Sequence, residues 1–287
     1  MIELQLAKTF NGNPGFDINV SMNIQKGSFT ALYGNSGSGK TSILRMIAGL
    51  LKPDNGSIIV NGQFWYTSEK HKHILPSQRK TGYLLQEGIL FPNMDVKGNL
   101  VYALGKKGST DYFNEIVQLM DLTPLLHKPI NELSGGQQQR AALARTLLTK
   151  PDILLLDEPF TALDSTSKAM LLNSLKQIHK RYGLTTIMVS HSIAEIALLA
   201  DKVYIITNGE ITGEGTPLKV FADKQQSNTI VIPAEVISIN PIEQSYTLTV
   251  LIQESIITLP VVQSNIPVPA IGSTIWLEAG TFKLLGQ

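Results

Sequence analysis

The sequence predicts an α/β domain with a largely parallel sheet, followed by a small all-β module. Three observations predict it. From Met1 to about Phe221 short apolar runs alternate with helical patterns, the signature of strands covered by helices. One of those apolar runs, residues 29–33, leads into a glycine-rich loop and then a helical stretch. Beyond residue 228 the composition turns to Ile, Val and Thr punctuated by proline.

The elements follow in chain order. Candidate strands lie at 29–33, 82–85, 153–157, 185–189 and 203–207, each a short apolar run of strand length. A helical run covers 42–48, and a longer one covers 138–149. Leu171, Leu175, Ile178 and Tyr182 step by four, three and four, which places them on one buried helix face. Residues 222–228 are polar and read as a linker, so the first domain is 1–222 and the second 229–287. That second segment holds eleven Ile, six Val and six Thr, side chains stiff at Cβ that suit a pleated surface. Residues 246–252 read as one of its strands. It carries a net charge of −3 against +4 for the rest. A module this short is marginal alone and is expected to dock on another surface.

Composition excludes several classes. The 287 residues are about twice a typical ~150-residue domain, and 43% hydrophobic content supports a sizeable core. A formal charge of +1 gives no field toward nucleic acid, so no nucleic-acid partner is expected. With no cysteine, disulfides, thiolate catalysis and zinc ribbons are ruled out. No apolar run approaches the ~18 residues of a spanning helix. The His71-Lys72-His73 cluster reads as solvated loop surface rather than a metal site.

Three motifs carry chemistry. Gly34-Asn35-Ser36-Gly37-Ser38-Gly39-Lys40-Thr41, followed by Ser42, fits G-x-x-x-x-G-K-[ST] between a strand and a helix. Glycines let backbone N–H groups turn toward phosphate oxygens, and the helix N-terminus adds partial positive charge. Lys40 is placed to reach the β- and γ-phosphates of a nucleotide, and Thr41 to offer its hydroxyl to Mg²⁺. Residues 153–156 are an apolar strand that ends in Asp157 and Glu158. Asp157 would then hold Mg²⁺ through a water, and Glu158 would polarise an attacking water. Ser134-Gly135-Gly136-Gln137 opens the helix at 138–149 with Ser and Gln at capping-box spacing, a second anion-binding helix start.

Leu133-Ser134-Gly135-Gly136-Gln137, 20 residues before Asp157, resembles the signature of ATP-binding cassette ATPases. The resemblance covers residues 1 to about 222 and is carried by further motifs in order: Gln86 after the strand at 82–85, Thr161-Ala162-Leu163-Asp164, and His191 after the strand at 185–189. It implies a P-loop NTPase fold with a RecA-like core and a helical subdomain. It also implies ATP and Mg²⁺ as ligands, in a head-to-tail dimer with a second copy of the chain. In that dimer Ser134, Gly136 and Gln137 of one copy face the phosphate loop of the other. Gln86 would sense Mg²⁺ and the attacking water, His191 would contact the γ-phosphate, and Asp164 would link the two sites. Phe10, 30 residues before Lys40, stands where the family often stacks an aromatic on adenine, with Phe16 as competitor and an ordinary core role open for either.

Such cassettes sit on transmembrane permease subunits at the cytoplasmic face of the membrane, in indirect contact with a substrate-binding protein. Residues 90–94 resemble the region that receives a permease helix, with packing inside the helical subdomain as the other reading. Residues 75–100 are similar to the corresponding part of molybdate-importer cassettes, and the β module resembles their TOBE/MOP-like regulatory domains. The expectation is uptake of an oxyanion, molybdate or tungstate first. The alternatives are another cargo (sulfate, sugar, polyamine, ferric ion) or a cassette ATPase outside transport. The module has no Ser-Ala-Arg-Asn motif, which argues against its sensing an oxyanion directly.

Overall fold

Strand β3 (Phe29–Tyr33) sits inside the sheet because its apolar residues are buried on both faces. A computed structural model describes residues 1–12, 15–86, 90–106, 108–161, 163–221, 230–242, 245–252, 255–261 and 268–279. By its contacts the chain divides into Met1–Ala222 and Asp223–Gln287.

In the first unit the strands other than β3 are β1 (Ile2–Phe10), β2 (Phe16–Ile24), β4 (Asn55–Val60), β5 (Gln63–Thr67), β6 (Lys72–His73), β7 (Thr81–Leu84), β8 (Ile153–Asp157), β9 (Thr185–Val189), β10 (Lys202–Thr207) and β11 (Glu210–Gly215). Among the described residues they form one sheet in the order β6-β5-β4-β1-β2-β11-β10-β3-β9-β8-β7. From β10 to β7 the neighbours are parallel, and these five are the strands expected from the apolar runs. The remaining pairs are antiparallel apart from a single parallel contact, Glu210 with Asn19. The sheet is therefore more mixed than expected. β2 shows why: Ile18, Val20, Met22 and Ile24 alternate with exposed polar residues, the period of a strand with one wet face. Lys72–His73 is a short edge strand rather than a loop, with the His73 ring edge-on to Tyr66.

Helix α1 (Lys40–Ala48) packs between the antiparallel strands and one face of the parallel ones. Its Ile43, Leu44, Met46 and Ile47 share a core with Leu4, Val20, Leu32, Leu155 and Ile187. The opposite face, Ala31, Leu154, Leu156 and Met188, is covered by α2 (Val96–Leu104), α3 (Thr110–Leu119), α4 (Gly135–Leu148) and α5 (Ser165–Tyr182). The strand period of two sends adjacent Leu155 and Leu156 into different cores. Leu171, Leu175 and Ile178 of α5 are fully buried, as their spacing requires. Helices α6 (Ile193–Leu199) and α7 (Pro217–Phe221) also belong to this unit.

Arg79 fixes the far end of α1. It is 4% exposed, and its Nη1 donates to the carbonyls of Met46 (2.9 Å) and Ile47 (2.7 Å) while Nε donates to that of Ile74 (3.0 Å). Burial pushes its pKa down to about 10, which still leaves a cation at the negative end of the helix. Hydrogen bonds to charged groups contribute about 1.5–3 kcal/mol, so Arg79→Met is expected to cost about 2 kcal/mol, read as a lowered midpoint in denaturant at unchanged slope.

Among the described residues the second unit forms a four-stranded antiparallel sheet in the order β14 (Ser255–Val261), β13 (Ser245–Ile252), β12 (Ile230–Ile242), β15 (Thr274–Ala279). Among the described residues, Ala234, Val236, Leu248 and Val250 form its buried cluster, drawn from alternate positions of β12 and β13. The expected strand at 246–252 falls within β13.

Candidate active site at the carboxyl edge of the parallel strands

The register of the parallel strands brings the motif residues together. Asp157 of β8 pairs with Val189 of β9, and Leu32 of β3 pairs with the same residue from the other side. The loops that leave β3, β7, β8 and β9 thus emerge along one edge, where open α/β sheets bind ligands. They enclose a cavity of about 630 Å³ lined by Phe10, Phe16, Gly34, Ser36, Gly37, Gly39, Lys40, Thr41, Ser42, Gln86, Glu158 and His191. That volume is in the ordinary range for ligand sites.

The phosphate loop needs its glycines for two different reasons. A Cβ at Gly34 would lie inside contact distance of the Ile206 carbonyl oxygen, so the chain there admits no side chain. Gly39, the N-cap of α1, has φ 97°, a left-handed conformation that favours glycine. Lys40 Nζ donates back to the carbonyls of Gly34 (2.8 Å) and Asn35 (2.6 Å) and to Ser38 Oγ (3.3 Å), so the ammonium braces the loop around itself. Burial lowers the Lys40 pKa, and the Glu158 and Asp157 carboxylates oppose that shift.

Asp157 is 3% exposed, and both its oxygens are engaged. Thr41 Oγ1 donates to Oδ1 at 2.9 Å and the Tyr83 hydroxyl donates to Oδ2 at 3.0 Å. At Glu158 the chain leaves strand geometry with φ 48°, a left-handed conformation uncommon outside glycine. The turn is held by the Glu158 N–H on the Val189 carbonyl, and it puts the side chain in the cavity while its neighbour Asp157 stays buried. Glu158 Oε2 accepts from Thr161 Oγ1 at 3.2 Å and faces His191 Nδ1 at 3.6 Å.

The loop that carries His191 has its own support. Ser190 Oγ donates to Glu195 Oε2 at 2.5 Å, Lys168 reaches the other Glu195 oxygen at 2.6 Å, and the Ser192 N–H donates to Ser190 Oγ. Asp164 caps α5, accepting from the Ser167 N–H at 2.9 Å, and its hydrogen bonds with Ser167 hold its carboxyl below the usual range.

The signature residues lie elsewhere in this chain. Ser134 caps α4 as the spacing requires: its Oγ accepts from the Gln137 N–H and its N–H donates to Gln137 Oε1 at 3.1 Å. Gly136 lies against Ser167 and Leu163, and a Cβ there would collide with the Ser167 side chain. None of Ser134, Gly136 and Gln137 lines the cavity of their own chain. Phe10 and Phe16 face each other across β1 and β2, ring centroids 6.1 Å apart, and both reach the cavity. Of the stretch 90–94, Leu90 is buried and Phe91 is held through its backbone by Asn99, with Arg145 over its ring at 4.2 Å. Ala162 of the Thr161–Asp164 motif lies outside the described residues.

Sequence reasoning did not find Tyr83 or Arg79. The signal for Tyr83 is a polar-tipped aromatic one strand position from Leu84, hence on the α1 side of the sheet. Arg79 carries no such signal, because the α1 carbonyls it meets lie more than 30 residues away.

A glycine cradle closed by a lysine, at the amino end of a helix and beside a threonine bonded to a buried aspartate, defines a nucleotide-binding P-loop protein. The sequence matches the ABC transporter family over residues 18–161, half of the chain, and the protein belongs to that family. Among curated relatives, the molybdenum import ATP-binding protein ModC of Escherichia coli K12 and that of Shigella flexneri are each 39% identical over 221 residues. The match takes in 77% of this chain and 62% of those proteins, so the chain spans less than two thirds of their length. The dimeric post-hydrolysis structure of the ATP-binding cassette MJ0796 bound to ADP and Pi is 28% identical with a TM-score of 0.65, covering 76% of this chain and 99% of that one. The structure of cbiO1 from Clostridium perfringens, part of the ABC transporter complex cbiONQ, is 28% identical with a TM-score of 0.67, covering 78% and 91%.

Proposed function

We propose that this chain is the ATP-hydrolysing subunit of an ABC importer that takes up an oxyanion, molybdate or tungstate first. The observation that carries the hydrolase reading is the convergence of Lys40, Thr41, Gln86, Glu158 and His191 on one cavity with Asp157 directly beneath Thr41. Lys40, the loop N–H groups and the start of α1 bind the polyphosphate of ATP, and Phe10 or Phe16 stacks on the base. Among the described residues no three His, Cys, Asp or Glu side chains cluster as an all-protein metal cage. That suits Mg²⁺, which is ordinarily held by one or two protein groups together with substrate phosphates and waters. Thr41, Asp157 and Gln86 would hold the ion, which when bound neutralises phosphate charge. Glu158 accepts the proton of the attacking water, held toward it by its bond from Thr161.

Because Ser134, Gly136 and Gln137 stand away from their own cavity, a second copy supplies them to close the site. Two half-sites then enclose a charged phosphate that neither encloses alone. Coupling to transport requires permease subunits at the cytoplasmic face of the membrane and, through them, a substrate-binding protein. Among the described residues no helix is long and apolar enough to cross a membrane. The antiparallel sheet of residues 230–279 is read as a TOBE-like regulatory module.

Cargo rests on the molybdenum import relatives. In vesicles that contain the cognate permease, ATP turnover is expected to rise several-fold with a molybdate- or tungstate-loaded binding protein and to stay basal with a sulfate-loaded one. Equal stimulation by sulfate would move the cargo assignment and leave the hydrolase reading standing.

A further inference from the structure

Tyr83 does not line the nucleotide cavity, yet its hydroxyl touches the carboxylate beneath it. Thr41 and Tyr83 divide the Asp157 carboxylate between them, one donor on each oxygen, at 2.9 Å and 3.0 Å. A carboxylate with one donor only can rotate about its terminal torsion, whereas donors on both oxygens hold its plane. The consequence extends to Thr41. Its proton is spent on Asp157 Oδ1, so its oxygen lone pairs are left for a cation at the cavity floor. Tyr83 is itself held firmly: it lies on β7 between the buried Gly82 and Leu84, and its ring packs in the core that contains α1.

We infer that Tyr83 is a positioning residue for the divalent cation, acting through the second oxygen of Asp157 to set the geometry of the Thr41–Asp157 pair. This rests on the reading of Thr41 and Asp157 as the metal side of the site. Groups that orient metal ligands typically change metal affinity by 10–100-fold when removed. Tyr83→Phe keeps the ring and removes only the hydroxyl.

The test is Mn²⁺ binding to the full chain at saturating ADP, followed by electron paramagnetic resonance, with ADP affinity in EDTA measured alongside. Mn²⁺ shares the oxygen preference of Mg²⁺. Tyr83→Phe is expected to weaken Mn²⁺ binding about 10-fold while ADP affinity in EDTA and the melting temperature stay near wild type. Tyr83→Leu, which also lacks the hydroxyl, is expected to show the same loss. Wild-type Mn²⁺ affinity in Tyr83→Phe overturns the inference, and so does a loss seen only in Tyr83→Leu, which would belong to ring packing. A wild-type chain that binds ADP but takes up no Mn²⁺ would overturn the metal reading itself, and the Tyr83 inference with it.

Discussion

Replacing Glu158 by glutamine is expected to slow ATP hydrolysis about 1000-fold, within the range lost with a general base, and to leave ATP binding intact. Glutamine keeps the length of the side chain and can still accept the bond from Thr161 Oγ1 that the carboxylate accepts at 3.2 Å. What it cannot do is take a proton from water. The left-handed backbone at residue 158 is a property of the turn held by Val189, and the substitution does not touch it. Affinity for ATP should be equal or slightly higher, because a negative charge that faced the phosphates is gone. Single-turnover hydrolysis measured with equilibrium ATP binding separates the two effects. Turnover within a few-fold of wild type would remove Glu158 from the role of base.

Lys40→Ala acts on the other side of the reaction. Losing one partner of a buried, hydrogen-bonded charge pair costs about 2–5 kcal/mol, which predicts a loss of ATP affinity between about 30-fold and several thousand-fold. Part of that loss belongs to the loop itself. In the free protein the ammonium ties the Gly34 and Asn35 carbonyls at 2.8 and 2.6 Å, so its removal loosens the cradle as well as subtracting charge. Adenosine carries no phosphate and should bind both proteins alike, which gives the titration an internal control. Unchanged ATP affinity would contradict the phosphate-loop assignment.

The central parallel strands β3, β8 and β9 were legible because each is a short run buried on both faces, which writes a largely apolar string. The antiparallel strands β1 and β2 interleave polar and apolar residues, and sequence reasoning passed over them together with β4 and β5. Helix starts were legible where a side chain caps them, as Ser134 does, and less so at α1. There the helix begins at Lys40 behind the glycine Gly39, two residues earlier than its apolar pattern suggests. Site residues were readable wherever a loop geometry forces a residue type, as with the glycines around Lys40. They were unreadable where the chemistry depends on tertiary approach. Tyr83 meets Asp157 across 74 positions, and Arg79 meets α1 through backbone carbonyls that any sequence possesses. The placement of Ser134, Gly136 and Gln137 away from the cavity could be seen only in three dimensions.

That placement is the physical basis of the proposed dimer, in which a second copy of the chain completes the hydrolytic site. The most direct measurement is the molar mass of the full-length Glu158→Gln protein by light scattering, with and without ATP and Mg²⁺. A single chain is expected without nucleotide, and a particle of two chains holding one ATP per chain with it. Conversion should be lost when a bulky cation replaces the capping serine in Ser134→Arg. A protein that binds ATP and remains a single chain at every concentration of nucleotide and protein would contradict it.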